Sequence, residues 1–190
     1  MRSNKFNFFP TTVLEYDLTN HPSKEILLNY IDDPSNLESH GLVDKGVSNY
    51  HREYDFLRNP HFISLRNDFN KCLDDYCFNL GISYVTIMQS WFNILEKGGK
   101  VTRHNHGGSI LSGAYYPLLQ ENTCNLYIKN PIQSTNIFHY QPYTELYQYE
   151  DKCIQVKENH VYIFPGWLEH YTETNKSDKR ITISFNTKFY

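Results

Sequence analysis

Cysteine is sparse and unpatterned in this chain. Cys72, Cys77, Cys124 and Cys153 form no Cys-x-x-Cys pair, which argues against a zinc ribbon and makes reduced thiols the expectation. A dominant charge of one sign is missing too. The formal net charge is −3 and the pI near 6.3, with no basic stripe of the kind that grips nucleic acid or an anionic membrane surface non-specifically. No apolar run approaches the roughly 20 residues of a membrane-spanning helix, and Met1 to Phe9 do not read as a charged-then-apolar leader. No fixed-period repeat is present, although Asn and Tyr are plentiful throughout.

Aromatic residues, in contrast, are abundant. They make up 16% of the chain, with 16 Tyr and 12 Phe, a composition that suits half-buried strands better than a helical bundle. A chain of 190 residues is long enough for one well-buried core and short for two. The expected layout is therefore one domain over 1–190, with an N-terminal strand and buttressing helices in 1–81 and a β core in 82–190.

Phe8-Phe9-Pro10 leads into a candidate edge strand over Thr11 to Tyr16, and a short helix is expected over Ser23 to Tyr30, where Ile26, Leu27 and Tyr30 share helical spacing. A longer helix is expected from Asn59-Pro60, a cap followed by a first-turn proline, to Gly81, a left-handed stop. Its apolar stripe is Phe62, Leu65, Phe69, Cys72, Leu73 and Tyr76, suited to packing on a sheet. From Ile82 the period becomes two: Tyr84, Thr86, Met88, Ser90 and Phe92 are expected on one face, Val85, Ile87, Trp91 and Leu95 on the other. Turn signals at Lys97-Gly98-Gly99, Gly107-Gly108, Lys129-Asn130-Pro131, Glu158-Asn159 and Pro165-Gly166 then separate short apolar runs at Ile110–Tyr116, Asn125–Ile128, Cys153–Val156, Val161–Phe164 and Ile181–Phe185. Such spacing reads as a jelly roll: mainly β, with flanking helices. The polar, aromatic stretch Asn130 to Glu150 looks like an inserted loop, in which Tyr140 to Tyr149 could form a lid.

The chemistry concentrates late in the chain. His104 and His106 stand at i and i+2 just before an expected strand, a spacing that puts both rings on one face. Two inward imidazoles can chelate one ion; as mere packing, each would need its donor and acceptor satisfied. His170 is the third candidate ligand. Arg180 opens an alternating strand in which Arg180, Thr182, Ser184 and Asn186 share a face opposite Ile181, Ile183 and Phe185. An arginine inside a barrel is costly unless an anion meets it, and its fork matches a carboxylate, with Thr182 able to donate one further hydrogen bond. The other histidines, His21, His40, His51, His61, His139 and His160, lie in polar or turn contexts and are expected at the surface.

The order His104-x-His106, distal His170, then Arg180-x-Thr182 resembles that of the oxygenases that depend on iron(II) and 2-oxoglutarate, whose pattern is His-x-carboxylate, distal His, then Arg-x-Ser. Trp91-Phe92-Asn93, the run His104 to Tyr116, the run Phe164 to His170, and Phe9-Pro10-Thr11 near the start are similar to the small members of that family found in bacteria and their phages. The resemblance implies a distorted double-stranded β-helix, cupin-like, with Fe(II) held by His104, His106 and His170. It also implies 2-oxoglutarate chelating the iron, its far carboxylate on Arg180 and Thr182, Asn93 beside the cosubstrate on a neighbouring strand, and O2 as oxidant. The implied activity is hydroxylation of a C–H bond in the cytoplasm of a bacterial cell or phage-infected host.

One departure stands out. His106 occupies the position where Asp or Glu is usual, leaving the site more positive by one charge; Glu169, next to His170, would point away in an extended segment. Other readings stay open. A motif starting at His106-Gly107-Gly108 is similar to the His-x-Gly of iron halogenases; the same histidines could serve a three-histidine cupin enzyme without 2-oxoglutarate; and the barrel could be a non-catalytic binding module. Trp91, Tyr115, Tyr116, Tyr127, Phe164 and Trp167 are candidates to line the pocket, although aromatics on strands are more often core. The substrate, a small molecule or a peptide, and the oligomeric state are not specified by the sequence.

Overall fold

The structure, a computed structural model, describes residues 11–19, 21–22, 24–131 and 151–190. The segment Phe8 to Pro10, Ser23, His139, the lid assigned to Tyr140–Tyr149 and most of the Asn130–Glu150 insertion lie outside the described residues. The first expected strand is β1, Leu14–Asp17, at the edge of the larger sheet. The first expected helix is α1, Lys24–Ile31, in which Leu27 and Ile31 are buried while Ile26 faces outward.

At Asn59 and Pro60 the chain makes a separate 3-10 turn, Pro60–Phe62, with the Asn59 side chain accepting from the His61 N–H at 3.1 Å. Helix α2 itself runs Ile63–Leu80 and stops at Gly81, whose φ of +64° is left-handed. All six residues of the expected apolar stripe are buried, Phe62 in the preceding turn and the other five on α2.

That stripe packs on one face of a six-stranded antiparallel sheet, ordered β1, β7 (His160–Pro165), β4 (Leu111–Leu118), β9 (Lys179–Phe189), β3 (Val85–Val101) and β2 (Val43–Ser48). Phe69 of α2 stacks on Phe185 of β9 at 5.0 Å between centroids. A side chain at Gly113 of β4 would meet the Phe185 ring at 2.1 Å, so the glycine makes room for it. Each such aromatic contributes roughly 1.5–3 kcal/mol by burial. A second sheet joins β6 (Lys152–Ile154), β5 (Leu126–Ile128) and β8 (His170–Thr172). The architecture is the mainly β, distorted double-stranded β-helix with helices outside that the sequence implied. Strand β2 was not among the expected strands; its pattern Val-Asp-Lys-Gly-Val-Ser is too weakly apolar to announce itself. Among the described residues, no helix is long and apolar enough to cross a membrane.

Two features of β3 correct the sequence reading. Lys97-Gly98-Gly99 does not end the strand, because Gly98 adopts a φ of +84° and the excess residues are absorbed opposite a register shift between Asp44 and Gly46 of β2. A second shift falls between Ile87 and Gln89. It reverses the alternation, so Phe92 and Ile94 join Val85 and Ile87 against the helix, while Trp91 leaves that side and, with Gln89 and Asn93, lines the interior cavity.

Polar contacts from the helical layer hold this bulge. The Arg66 guanidinium on α2 donates to both oxygens of Asp55, at 2.9 and 2.8 Å, and to the carbonyl of Ile87 at 2.7 Å. The Ser90 hydroxyl donates to Asp55 at 2.6 Å and accepts from the Leu57 N–H. Arg58 also donates to Asp55 at 3.1 Å but is mostly exposed, so the buried carboxylate depends chiefly on Arg66, and Arg66→Leu should cost about 3 kcal/mol. Urea unfolding monitors this; a loss below about 1 kcal/mol would mean that the pair does not hold the bulge.

Candidate metal and cosubstrate site

Two distant segments form the centre of the cavity. Residues 102–106 lie antiparallel to 166–170: the His104 N–H donates to the His170 carbonyl at 3.1 Å, the His170 N–H returns to the His104 carbonyl at 2.9 Å, and the His106 N–H donates to the Gly166 carbonyl at 2.8 Å. The histidine pair therefore does not open a regular strand. His104 sits in an isolated bridge, His106 in the following loop, and β4 starts only at Leu111. The extended backbone still places both rings on one side. Gly166 also lets the loop after His106 approach closely, since a Cβ there would lie 2.2 Å from the Ser109 carbonyl oxygen.

The structure brings His104, His106 and His170 together, one ring nitrogen of each lying within 4.8 Å of the others. Ring centroids are 5.0 Å apart for His104 and His106, 4.4 Å for His104 and His170, and 5.1 Å for His106 and His170. Nδ1 of His104 faces the Thr102 carbonyl at 2.7 Å and Nδ1 of His170 the Leu168 carbonyl at 2.9 Å. A nitrogen opposite a carbonyl must carry the proton, so Nε2 of each ring keeps its lone pair. Burial, reinforced by the neighbouring His170 and His104, pushes the His106 pKa down to about 3; burial and His104 push His170 down to about 4; burial lowers His104 as well. Three neutral imidazoles with converging lone pairs are a donor set for a first-row divalent ion such as iron.

Arg180 lies deeper, 2% exposed. Its Nη1 donates to Thr182 Oγ1 at 2.8 Å, and its Cζ lies 4.8 Å over the Tyr116 ring. Its Nε is buried without a partner, and among the described residues no carboxylate pairs with it. Thr182, used as acceptor, retains its own proton to donate. Asn93 stands opposite Thr182 in the β3–β9 register, with its side-chain oxygen buried and without a partner among the described residues. A buried cation, a free hydroxyl proton and an idle amide in one cavity fit the distal carboxylate of 2-oxoglutarate.

The remaining sequence candidates divide. Trp91, Tyr116 and Phe164 line the cavity, with the Trp91 ring 5.6 Å from His106. Tyr115 packs on Phe69, Tyr127 stacks on Tyr171, and Trp167 is 53% exposed, so none of these three lines it. Glu169 turns away to Lys129 at 2.5 Å, as its adjacency to His170 implied. A motif starting at His106 would leave His104, one of the three clustered imidazoles, without a role. His40 corrects the surface assignment: its ring lines the cavity, 4.6 Å from Tyr50, and burial, with help from His51 and His104, lowers its pKa. Sequence reading missed His40, Tyr50 and Gln89 because β2 and the β3 bulge carry no strong pattern.

The family profile described as "Putative 2OG-Fe(II) oxygenase" matches residues 89–186, just over half of the chain and the stretch that carries all three imidazoles, Arg180 and Thr182. The chain belongs to this family. No curated protein matches it. Among solved structures, this oxygenase is similar to a Pseudomonas putida prolyl-4-hydroxylase, with 9% identity, coverage of 94% of this chain and 92% of the other, and a TM-score of 0.66. It is also similar to HygX from Streptomyces hygroscopicus with nickel and 2-oxoglutarate bound, at 11% identity, 93% and 82% coverage and a TM-score of 0.65. A Burkholderia pseudomallei oxidoreductase of the 2OG-Fe(II) oxygenase family shares 11% identity and a TM-score of 0.51, over 68% of this chain but only 58% of that one. At these identities the likeness establishes the double-stranded β-helix fold.

The tight seam at Gly166 makes it the sensitive backbone position of the oxygenase. Gly166→Ala should destabilise the fold by about 1–3 kcal/mol and weaken nickel binding, because the Ser109 backbone, and with it the loop that carries His106, must move outward. Thermal unfolding and a nickel titration read both effects; an unchanged variant would mean that the seam is not tight.

Proposed function

We propose that the chain is a hydroxylase in which His104, His106 and His170 hold ferrous iron, and Arg180 and Thr182 hold the far carboxylate of 2-oxoglutarate. The balanced reaction is substrate C–H plus 2-oxoglutarate plus O2 giving substrate C–OH, succinate and CO2. The iron and cosubstrate supply the oxidising chemistry when bound. The protein's own residues supply position and electrostatics.

Support comes first from the buried Arg180 guanidinium, which has no carboxylate partner among the described residues and shares a cavity with the three imidazoles. A cation withdrawn from water without a partner is strongly unfavourable, so a ligand carboxylate there restores what burial removes. Thr182 aims the guanidinium through its 2.8 Å contact, and the Tyr116 ring flanks it and excludes water. Asn93 is placed to touch the cosubstrate from the adjacent strand. The imidazoles, held neutral by burial, leave the metal its full charge, which a dianionic cosubstrate offsets. A three-histidine enzyme without 2-oxoglutarate would use the same ligands but would leave Arg180 for a substrate carboxylate. The substrate, a small molecule or a peptide, is bound beyond the metal.

Titrating 2-oxoglutarate into the ferrous protein under argon separates these readings, since chelation of the iron by the keto acid gives a visible absorption band. Arg180→Ala should weaken that binding by roughly 30-fold or more while leaving ferrous iron affinity nearly unchanged. Absence of the band, or equal loss of iron and cosubstrate, would contradict the assignment.

A further inference from the structure

We infer that the end of the cavity away from Arg180 is a receptor for an uncharged amide group, presented to the iron by Gln89, Ser184 and Asn186. This rests on the hydroxylase reading only in deciding which end takes the cosubstrate. The pairing of β3, β9 and β4 orders the interior in rows. Asn93 lies opposite Thr182; Trp91, Ser184 and Ala114 form the next row; Gln89, Asn186 and Ser112 form the one beyond. Successive rows on one face are about 7 Å apart. Trp91 is the row beside the His106 ring, so Gln89 and Asn186 stand one step past the imidazoles, on the side opposite Arg180.

The hydrogen-bonding state of this row, and of Ser184 in the row before it, suits a ligand. Ser112 Oγ donates to Asn186 Oδ1 at 2.9 Å, which fixes the amide and leaves its N–H2 without a partner among the described residues. The Gln89 amide and the Ser184 hydroxyl likewise have no hydrogen bond among the described residues, and all three side chains line the cavity. Together they offer both donors and acceptors, the complement of a carbonyl and an N–H carried side by side. The bulge between Ile87 and Gln89 is what turns the Gln89 side chain into this position.

Charge narrows the class. Among the described residues lining the cavity, Arg180 is the one charged side chain, and the cosubstrate takes it. An ionised ammonium or carboxylate at the Gln89 row would be desolvated with no opposite charge to meet it. Trp91, Tyr50 and Met88 supply flat and apolar surface beside the amide row. A neutral amide satisfies these constraints, whether it belongs to the interior of a polypeptide or to a small lactam.

Trp91 provides the readout, because the chain has only two tryptophans and the exposed one can be removed as Trp167→Phe. In that background, loaded with iron and 2-oxoglutarate under argon, Trp91 emission is titrated with three probes. These are N-acetylated, C-amidated tripeptides with uncharged side chains, the same tripeptides uncapped, and 2-pyrrolidinone. Capped peptides should bind roughly tenfold more tightly than the uncapped forms, and Gln89→Met or Ser184→Ala should each weaken the capped peptides by roughly tenfold. Binding by capped peptides alone assigns a polypeptide segment; equal, variant-sensitive binding by 2-pyrrolidinone assigns a small neutral amide. The inference is overturned if no amide probe binds, if uncapped peptides bind as well as capped ones, or if neither variant changes the affinity. Titration of 2-oxoglutarate into separate samples of each variant holding iron alone reports folding. Intact cosubstrate binding alongside failed amide binding removes this inference only, whereas lost cosubstrate binding in the parent protein removes the hydroxylase reading.

Discussion

A guanidinium buried to 2% exposure, with no carboxylate partner among the described residues, is an unfavourable arrangement for an isolated chain and a natural one for a chain that binds an anion. The rest of the interior is organised around it. Strand β9 carries Arg180 and Thr182 on the face that looks into the cavity and Ile181, Ile183 and Phe185 on the face that packs under α2. The same alternation thus anchors the fold and presents the cation. Removing a charge from water is tolerable only where the surroundings are rigid enough to keep it aimed, and the Tyr116 ring on one side and the Thr182 hydroxyl on the other do that.

The imidazoles depend on a different device. His104 and His170 are far apart in sequence, yet their backbones exchange two hydrogen bonds, so ring separation is set by main-chain pairing rather than by flexible side chains. Carbonyls of Thr102 and Leu168 then fix the tautomers of His104 and His170. Replacing the usual carboxylate by His106 costs the site one negative charge. It also removes an anion that would otherwise have to be desolvated beside Trp91, and neutral His106 tolerates that contact.

Alternation was the part of the fold most readable from the residues. The stripe from Phe62 to Tyr76 and the two faces of β9 follow from period alone, because each presents large apolar side chains at unbroken spacing. The same logic failed on β3, where a bulge after Ile87 inverted the faces. The cause is tertiary: Arg66 takes the Ile87 carbonyl and Asp55 takes Ser90, contacts no local pattern announces. His40 was misplaced for a related reason, since β2 is short of apolar residues and its loop folds over the cavity only by pairing with β3. The His-x-His, distal His and Arg-x-Thr order was legible because metal chelation and anion binding restrict residue type far more than packing does.

The most direct test of the account is a crystal structure of the protein grown without air and soaked with ferrous iron and 2-oxoglutarate. The account predicts one iron bound by Nε2 of His104, His106 and His170, with the distal carboxylate of the cosubstrate on Arg180 and Thr182. Iron held by any other set of side chains, or a cosubstrate carboxylate that leaves Arg180 unengaged, would contradict it.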